Sequence, residues 1–221
     1  MFRDRADAAQ QLIRALAAHR GKHPLVLAIP RGAVPMAQQI AQALAGDLDV
    51  VLVRKLAAPD NPEFAIGAID ETGWTWLNRH AQTAGASDAY IEQARQEQLA
   101  LIHERRARYT PLRPPIDPAG RDVIVVDDGL ATGATMIAAL HAVRARHPAR
   151  LTCAVPVAAR GAASRVRQLC DTLVCLSMPE EFYAVGQFYE NFAQVEDSEV
   201  EAILANYGPL PTAKFKPPGY M

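Results

Sequence analysis

Cysteine is scarce in this sequence: 221 residues contain three, Cys153, Cys170 and Cys175. So small and odd a number builds no disulfide framework. Cys153 and Cys175 fall in apolar, strand-like runs and read as small buried hydrophobes. The Cys170–Cys175 spacing is no zinc signature. Long apolar runs are missing as well, and none approaches the roughly 20 residues that span a bilayer. The opening Met1-Phe2-Arg3-Asp4-Arg5 lacks the apolar centre of a signal peptide. Both features predict a cytoplasmic protein. Charge of one sign is also lacking. Twenty-three Lys and Arg face 24 Asp and Glu, for a formal net charge of -1. That balance gives no electrostatic hint of nucleic acid or a membrane, though it does not exclude a basic patch, and a phosphate site is expected to be local.

Several chemical signatures are absent. There is no G-x-x-x-x-G-K-[ST] and no G-x-G-x-x-G, which sets aside P-loop and dinucleotide folds. H-E-x-x-H and G-x-S-x-G are missing too. The six histidines are scattered without ligand spacing. What remains is half apolar and one fifth charged, enough for one α/β domain with a small appendage.

The periodicities predict a helix over residues 4–19, stopped by Gly21, and a short strand at Leu25–Ile29. Pro30-Arg31-Gly32 breaks that strand. A second helix follows, with Pro35 in its first turn and Gly46 at its end. Leu48–Val53 reads as a strand running into Arg54-Lys55, and Ala57–Pro62 as a loop. Phe64–Ile69 and Trp74–Leu77 read as a hairpin around Glu71-Thr72-Gly73. Asp88–Tyr109 is a long polar helix, and Thr110–Gly120, with four prolines, a connector. Asp122–Val126 is an unbroken Val/Ile strand of the kind buried on both faces. A helix from Ala134, a strand at Leu151–Val157, a helix from Ala162 and a strand at Thr172–Leu176 continue the alternation. This pattern predicts a parallel sheet with right-handed crossovers. Residues 178–207 are aromatic-rich, with a last helix opened by a Ser198/Glu201 capping box. The tail from Gly208 is proline-rich and reads as flexible or laid on a partner.

The informative stretch is Val123-Ile124-Val125-Val126-Asp127-Asp128-Gly129-Leu130-Ala131-Thr132-Gly133-Ala134-Thr135-Met136. It joins a buried strand, two acids at its carboxyl end, a loop of small residues and a helix. Ligands of open parallel sheets bind at that end of the strands. A Gly/Thr loop opening a helix offers free N–H groups, hydroxyls and the positive end of a dipole, which suits a phosphate monoester. The paired acids can accept hydrogen bonds from sugar hydroxyls or organise a divalent cation. The bland reading is two acids capping a strand beside a turn.

This run resembles the 5-phosphoribosyl-1-pyrophosphate (PRPP) signature of the type I phosphoribosyltransferases. From about Phe2 to Tyr207 the chain is similar to a group of small bacterial phosphoribosyltransferase-like proteins. Leu27-Ala28-Ile29-Pro30-Arg31-Gly32-Ala33-Val34-Pro35 is similar to the family's pyrophosphate loop. Val53-Arg54-Lys55 resembles the strand end where the family often places a basic residue.

The resemblance implies an α/β, Rossmann-like parallel sheet flanked by helices, with a small hood. Residues 21–177 would form the PRPP-binding core, with a helical insertion at about 78–110. Residues 1–20 and 178–207 would form the hood. It implies that Asp127 and Asp128 hold the ribose hydroxyls. Ala131, Thr132, Gly133, Ala134 and Thr135 would cradle the 5-phosphate. Arg31 and Gly32 would meet the pyrophosphate, with Lys55 and Arg54 adding positive charge. Mg2+ would be held mainly through PRPP, with Asp127 and Asp128 contributing indirectly. The implied activity is transfer of the phosphoribosyl group to a nitrogenous base, purine or pyrimidine, as in nucleotide salvage, by a homodimer. A PRPP-binding regulator without turnover is the alternative on the same fold.

Other residues stay open at this level. Arg31-Gly32 could be a plain turn, and Arg54-Lys55 an exposed strand end. Arg105, Arg106 and Arg108 suit a helix C-terminus as well as they suit pyrophosphate. Phe182, Tyr183, Phe188, Tyr189 and Phe192 fit base stacking or a small hood core. No lysine lies between Lys55 and Lys214, so the family's pairing of an aromatic with a lysine that reads a purine oxygen does not show here.

Overall fold

A computed structural model describes residues 1–208, except the side chains of Pro62 and Glu63. Beyond Gly208, the expected proline-rich tail lies outside the described residues. The order of elements is α1 (Arg5–Ala15), β1 (Leu25–Ala28), α2 (Val34–Leu44), β2 (Asp47–Val50), β3 (Val53–Ala58), β4 (Asn61–Asp70), β5 (Thr75–Leu77), α3 (Asp88–Tyr109), β6 (Asp122–Val126), α4 (Ala134–Arg144), β7 (Arg150–Val157), α5 (Arg160–Arg167), β8 (Thr172–Ser177) and α6 (Asp197–Asn206).

Five strands form a parallel sheet in the order β2-β1-β6-β7-β8. β6 lies at its centre, and Val123 to Val126 are fully buried. Each such side chain contributes roughly 1.5–3 kcal/mol by leaving water. Side-chain alternation along β1 and β6 divides the core. Val26, Ala28, Ile124 and Val126 face one layer with α1, α2 and α6. Leu25, Leu27, Val123 and Val125 face the other, with α4 and α5.

β3, β4 and β5 make a separate antiparallel sheet. Its Val53, Ala65 and Ala68 share the core of α4, while Leu56, Ile66 and Ile69 share that of Ile91 and Ile102 on α3. The small sheet is thus held between α4 and α3.

The expected strand Leu48–Val53 is two strands. β2 ends at Val50, and Val53 pairs instead with Asp70 of β4. The apolar run is continuous because each residue serves a core: Val50 and Leu52 serve one, Val51 and Val53 the other. The expected loop at Ala57–Pro62 is correspondingly a hairpin, with β3 reaching Ala58 and β4 beginning at Asn61. The Ser198/Glu201 capping box is not formed. α6 starts two residues earlier, with Glu196 rather than Ser198 at its N-cap, and Glu201 accepts from Arg108 instead.

Arg113 is fully buried and donates to the carbonyls of Leu48 and Tyr207, which fastens the end of α6 to the core. The three cysteines are free. Among the described residues, no helix is long and apolar enough to cross a membrane.

Candidate functional site

β1 and β6 lie side by side and parallel, so the segments leaving their carboxyl ends meet at one edge of the sheet. After β1 comes Ile29–Gly32, whose Pro30–Arg31 peptide is cis. After β6 come Asp127 and Asp128. The contact between the two loops is close: a Cβ on Gly32 would lie 2.2 Å from Asp128 Oδ2. Only glycine lets the first loop pass beneath the acid.

The Gly/Thr loop that follows the acids is built locally. Leu130 is held in β-like contact with Ala158, donating to Val157 and accepting from Ala159. Gly133 takes φ 74° as the N-cap of α4, a conformation that costs a side chain strain. The first intrahelical bond runs from Ile137 to Gly133. The N–H groups of Gly133 to Met136 therefore lie outside the helical ladder. That of Ala134 meets Thr132 Oγ1 at 3.3 Å. Thr132 is also fixed from behind, its carbonyl accepting from Arg165 at 2.9 Å.

The paired acids are electrostatically strained. Burial pushes the Asp127 carboxyl well above its ordinary range, and the neighbouring Asp128 charge adds to the rise. Burial also raises Asp128, against the opposing pull of Arg5. Arg5, on the first turn of α1, donates to Asp128 Oδ2 from Nε at 3.0 Å and from Nη2 at 2.8 Å. Its Nη1 reaches the carbonyl of Ala193, and its guanidinium lies 3.9 Å over the Phe192 ring. Tyr189 OH donates to the Asp128 carbonyl at 2.7 Å. Arg5 was not a candidate from sequence, because its partner lies 123 residues away and nothing local marks it out.

Arg31 turns toward the start of α6, 3.3 Å from Asp197 and 3.8 Å from Glu196. Arg105 of α3 reaches the same Asp197 at 3.8 Å. Arg54 belongs to this neighbourhood: burial lowers its pKa most, and the charges of Arg105 and Arg31 lower it further. Arg54 also donates to Gln98 of α3 at 2.5 Å. Lys55 is exposed and, one position along β3, occupies the opposite face. The structure therefore brings Asp127, Asp128, Gly32, Arg31 and the 131–135 loop to one edge, with Arg54 beside them and Lys55 on the far face of its strand.

Arg106 and Arg108 are engaged elsewhere, on Glu71 and Glu201. The aromatic segment packs largely on itself and on Phe2, with ring centroids 5.0 Å apart for Phe182–Phe188, 5.5 Å for Phe2–Tyr189 and 4.9 Å for Tyr189–Phe192. Tyr183 is 84% exposed.

Among the described residues, no three His, Cys, Asp or Glu side chains gather as a metal cage. Two adjacent carboxylates, one of them engaged by Arg5, suit a Mg2+ that keeps water and ligand oxygens in most of its coordination sphere.

Comparison with known proteins gives a consistent picture. The phosphoribosyl transferase domain family matches residues 1–193. A Mycobacterium tuberculosis protein, provisionally named a phosphoribosyl transferase, is 42% identical over 205 residues, covering 92% of this chain and 46% of its own. The chain thus spans about half the length of the curated relatives it matches. The crystal structure of TT1426 from Thermus thermophilus is 45% identical, with a TM-score of 0.78, over 94% of this chain and 99% of that one. A Neisseria gonorrhoeae protein solved with bound ppGpp shares the fold at 12% identity and a TM-score of 0.51, over 93% and 97% of the two chains.

Proposed function

Because the chain belongs to the phosphoribosyl transferase domain family, we propose that it transfers the phosphoribosyl group of PRPP to a nitrogenous base, purine or pyrimidine, releasing pyrophosphate. The observation that carries this reading is the meeting of Gly32 with Asp128 beside the 131–135 loop. That arrangement supports the reading because its groups suit a diol, a phosphate monoester and a diphosphate, and ligands of such sheets bind at this edge.

In this reading Asp127 and Asp128 accept hydrogen bonds from the ribose hydroxyls. The N–H groups and hydroxyls of Ala131 to Thr135 hold the 5-phosphate at the start of α4, where the dipole favours an anion. The backbone of Arg31-Gly32 meets the diphosphate. Arg31 and Arg54 stabilise the negative charge that gathers there as the bond to the anomeric carbon breaks. Lys55 flanks the site from the other face of β3. Bound Mg2+ would supply further neutralisation of the leaving group, held mainly by PRPP oxygens with Asp127 and Asp128 behind it. Arg5 positions Asp128. Residues 21–177 carry PRPP in this division of the chain, and residues 1–20 with 178–207 form the hood that receives the base.

The test is base-dependent release of pyrophosphate from PRPP across a panel of purines and pyrimidines. Release with at least one base, abolished by chelating Mg2+, is the expected result. PRPP binding without release across the panel would replace the transferase with a PRPP-binding regulator.

A further inference from the structure

The cations near the diphosphate end are already in contact with an anion of the protein itself. Arg31 Nη1 stands 3.3 Å from Asp197 Oδ2. Arg105 Nε stands 3.8 Å from Asp197 Oδ1, to which Tyr109 OH also donates at 3.3 Å. Arg54 is close enough for both arginines to depress its pKa while Asp197 raises it. Two guanidinium groups, from the loop after β1 and from α3, thus converge on the first residue of α6, with Arg54 of β3 in their field.

These contacts are long. Charge-assisted N–H···O bonds run near 2.7–2.9 Å, and Arg5 meets Asp128 at 2.8 Å in the same molecule. The neighbouring arginines of α3 are better matched, Arg106 to Glu71 at 2.7 and 2.8 Å and Arg108 to Glu201 at 2.9 and 2.6 Å. Arg105 therefore differs from them: its carboxylate is shared with Arg31 and loosely held. Asp197, shared by two arginines and helped only by an exposed Glu196 3.8 Å from Arg31, is a poor counterpart for these mutually repelling guanidinium groups. A diphosphate, with more charge and more acceptor oxygens, matches them better.

We propose that Asp197 is an internal stand-in for the diphosphate. An incoming diphosphate displaces it from Arg31 and Arg105, Arg105 becomes a ligand-binding residue, and Asp197 sets how tightly that end of the ligand is held. This rests on the PRPP reading and deepens it. The displaced group lies on the segment that also carries Tyr189 and Ala193, which contact Asp128 and Arg5. Release of Asp197 would loosen that segment where it borders the paired acids.

The experiment titrates Mg2+-pyrophosphate, PRPP and ribose 5-phosphate calorimetrically into wild-type protein and three variants. Asp197→Asn should tighten pyrophosphate and PRPP about three- to fivefold, the scale of one partly exposed charge pair. It should leave ribose 5-phosphate, which has no diphosphate, unchanged. Arg105→Gln should weaken pyrophosphate by a similar factor. Glu199→Gln removes a charge from the same helix turn away from the cluster and should change nothing. Pyrophosphate bound no tighter by Asp197→Asn overturns the proposal, as does equal tightening by Glu199→Gln or an equal change for ribose 5-phosphate. If wild type binds PRPP in those cases, the transferase reading stands without it. If neither wild type nor any variant binds PRPP or pyrophosphate, both fall.

Discussion

The segment Asp127–Met136 supplies acids, loop and helix start from one continuous stretch. The cation cluster beside it draws Arg31 and Asp197 from positions 166 residues apart, with Arg54 and Arg105 from two further elements. The first region is pinned by backbone geometry, through Gly133, the Leu130–Ala158 bridge and the buried β6. The second is held by side-chain ion pairs at 3.3–3.8 Å. A preorganised loop can receive a phosphate without rearranging, whereas a cluster balanced on a borrowed carboxylate must exchange partners. Gly32 and Arg5 join the two regions, since both touch Asp128.

The largest effect should come from breaking that junction. In Gly32→Ala the new methyl cannot coexist with Asp128 Oδ2 at 2.2 Å, so the loop or the acid must shift, and the prediction is that the acid leaves Arg5. PRPP affinity should fall about a hundredfold in calorimetric titration, the scale of removing one buried charged partner. Affinity within a few-fold of wild type would mean the two regions are not mechanically joined. Arg5→Gln leaves Asp128 in place but unpaired. The expected loss is about tenfold in PRPP affinity and about 2 kcal/mol in denaturant unfolding, as for a charged hydrogen bond.

Gly133→Ala tests the local region alone. Forcing a side chain to φ 74° should cost about 1–2 kcal/mol of stability. It should weaken ribose 5-phosphate while sparing free pyrophosphate. Equal weakening of both would erase the distinction between the regions.

Asp49 serves as a probe outside both and should leave ligand affinity unchanged. It is buried, accepts from the N–H groups of Val50 and Ile116, and burial lifts its pKa from 3.8 to about 6. The folded protein then holds a proton that the unfolded chain releases above pH 3.8. The stabilisation is full below that value and is lost as pH rises through about 6. The swing is about 3 kcal/mol over that window. Unfolding free energy measured across pH 4–7 should fall with this profile in wild type and run flatter in Asp49→Asn. A parallel decline in both would assign the pH dependence to other groups.

The contrast between the regions also explains what could be read from sequence. Asp122–Val126, the Gly/Thr loop and the start of α4 at Ala134 stand where the pattern places them, because strand burial, loop and helix start are all encoded within one short stretch. Helix α3 spans Asp88–Tyr109 as its polar periodicity predicts. The change of sheet after Val50 was not legible, since an apolar run serving two cores looks like one long strand. Arg5 and Asp197 were not legible for a related reason. A lone arginine on a first helix turn and an acid before a serine have ordinary local explanations, and their partners are set by the tertiary fold. Asp197 was further obscured by the capping-box pattern, which moved the helix start to Ser198.

In the proposed transferase, Asp127–Met136 binds the ribose phosphate of PRPP. That binding is tested most directly by calorimetric titration of PRPP into the protein, with Mg2+ and with chelator, beside an Asp127→Asn/Asp128→Asn variant of verified fold. Mg2+-dependent binding that the variant loses is the predicted result. No binding by folded wild type, or binding that the variant retains at full strength, would contradict the account.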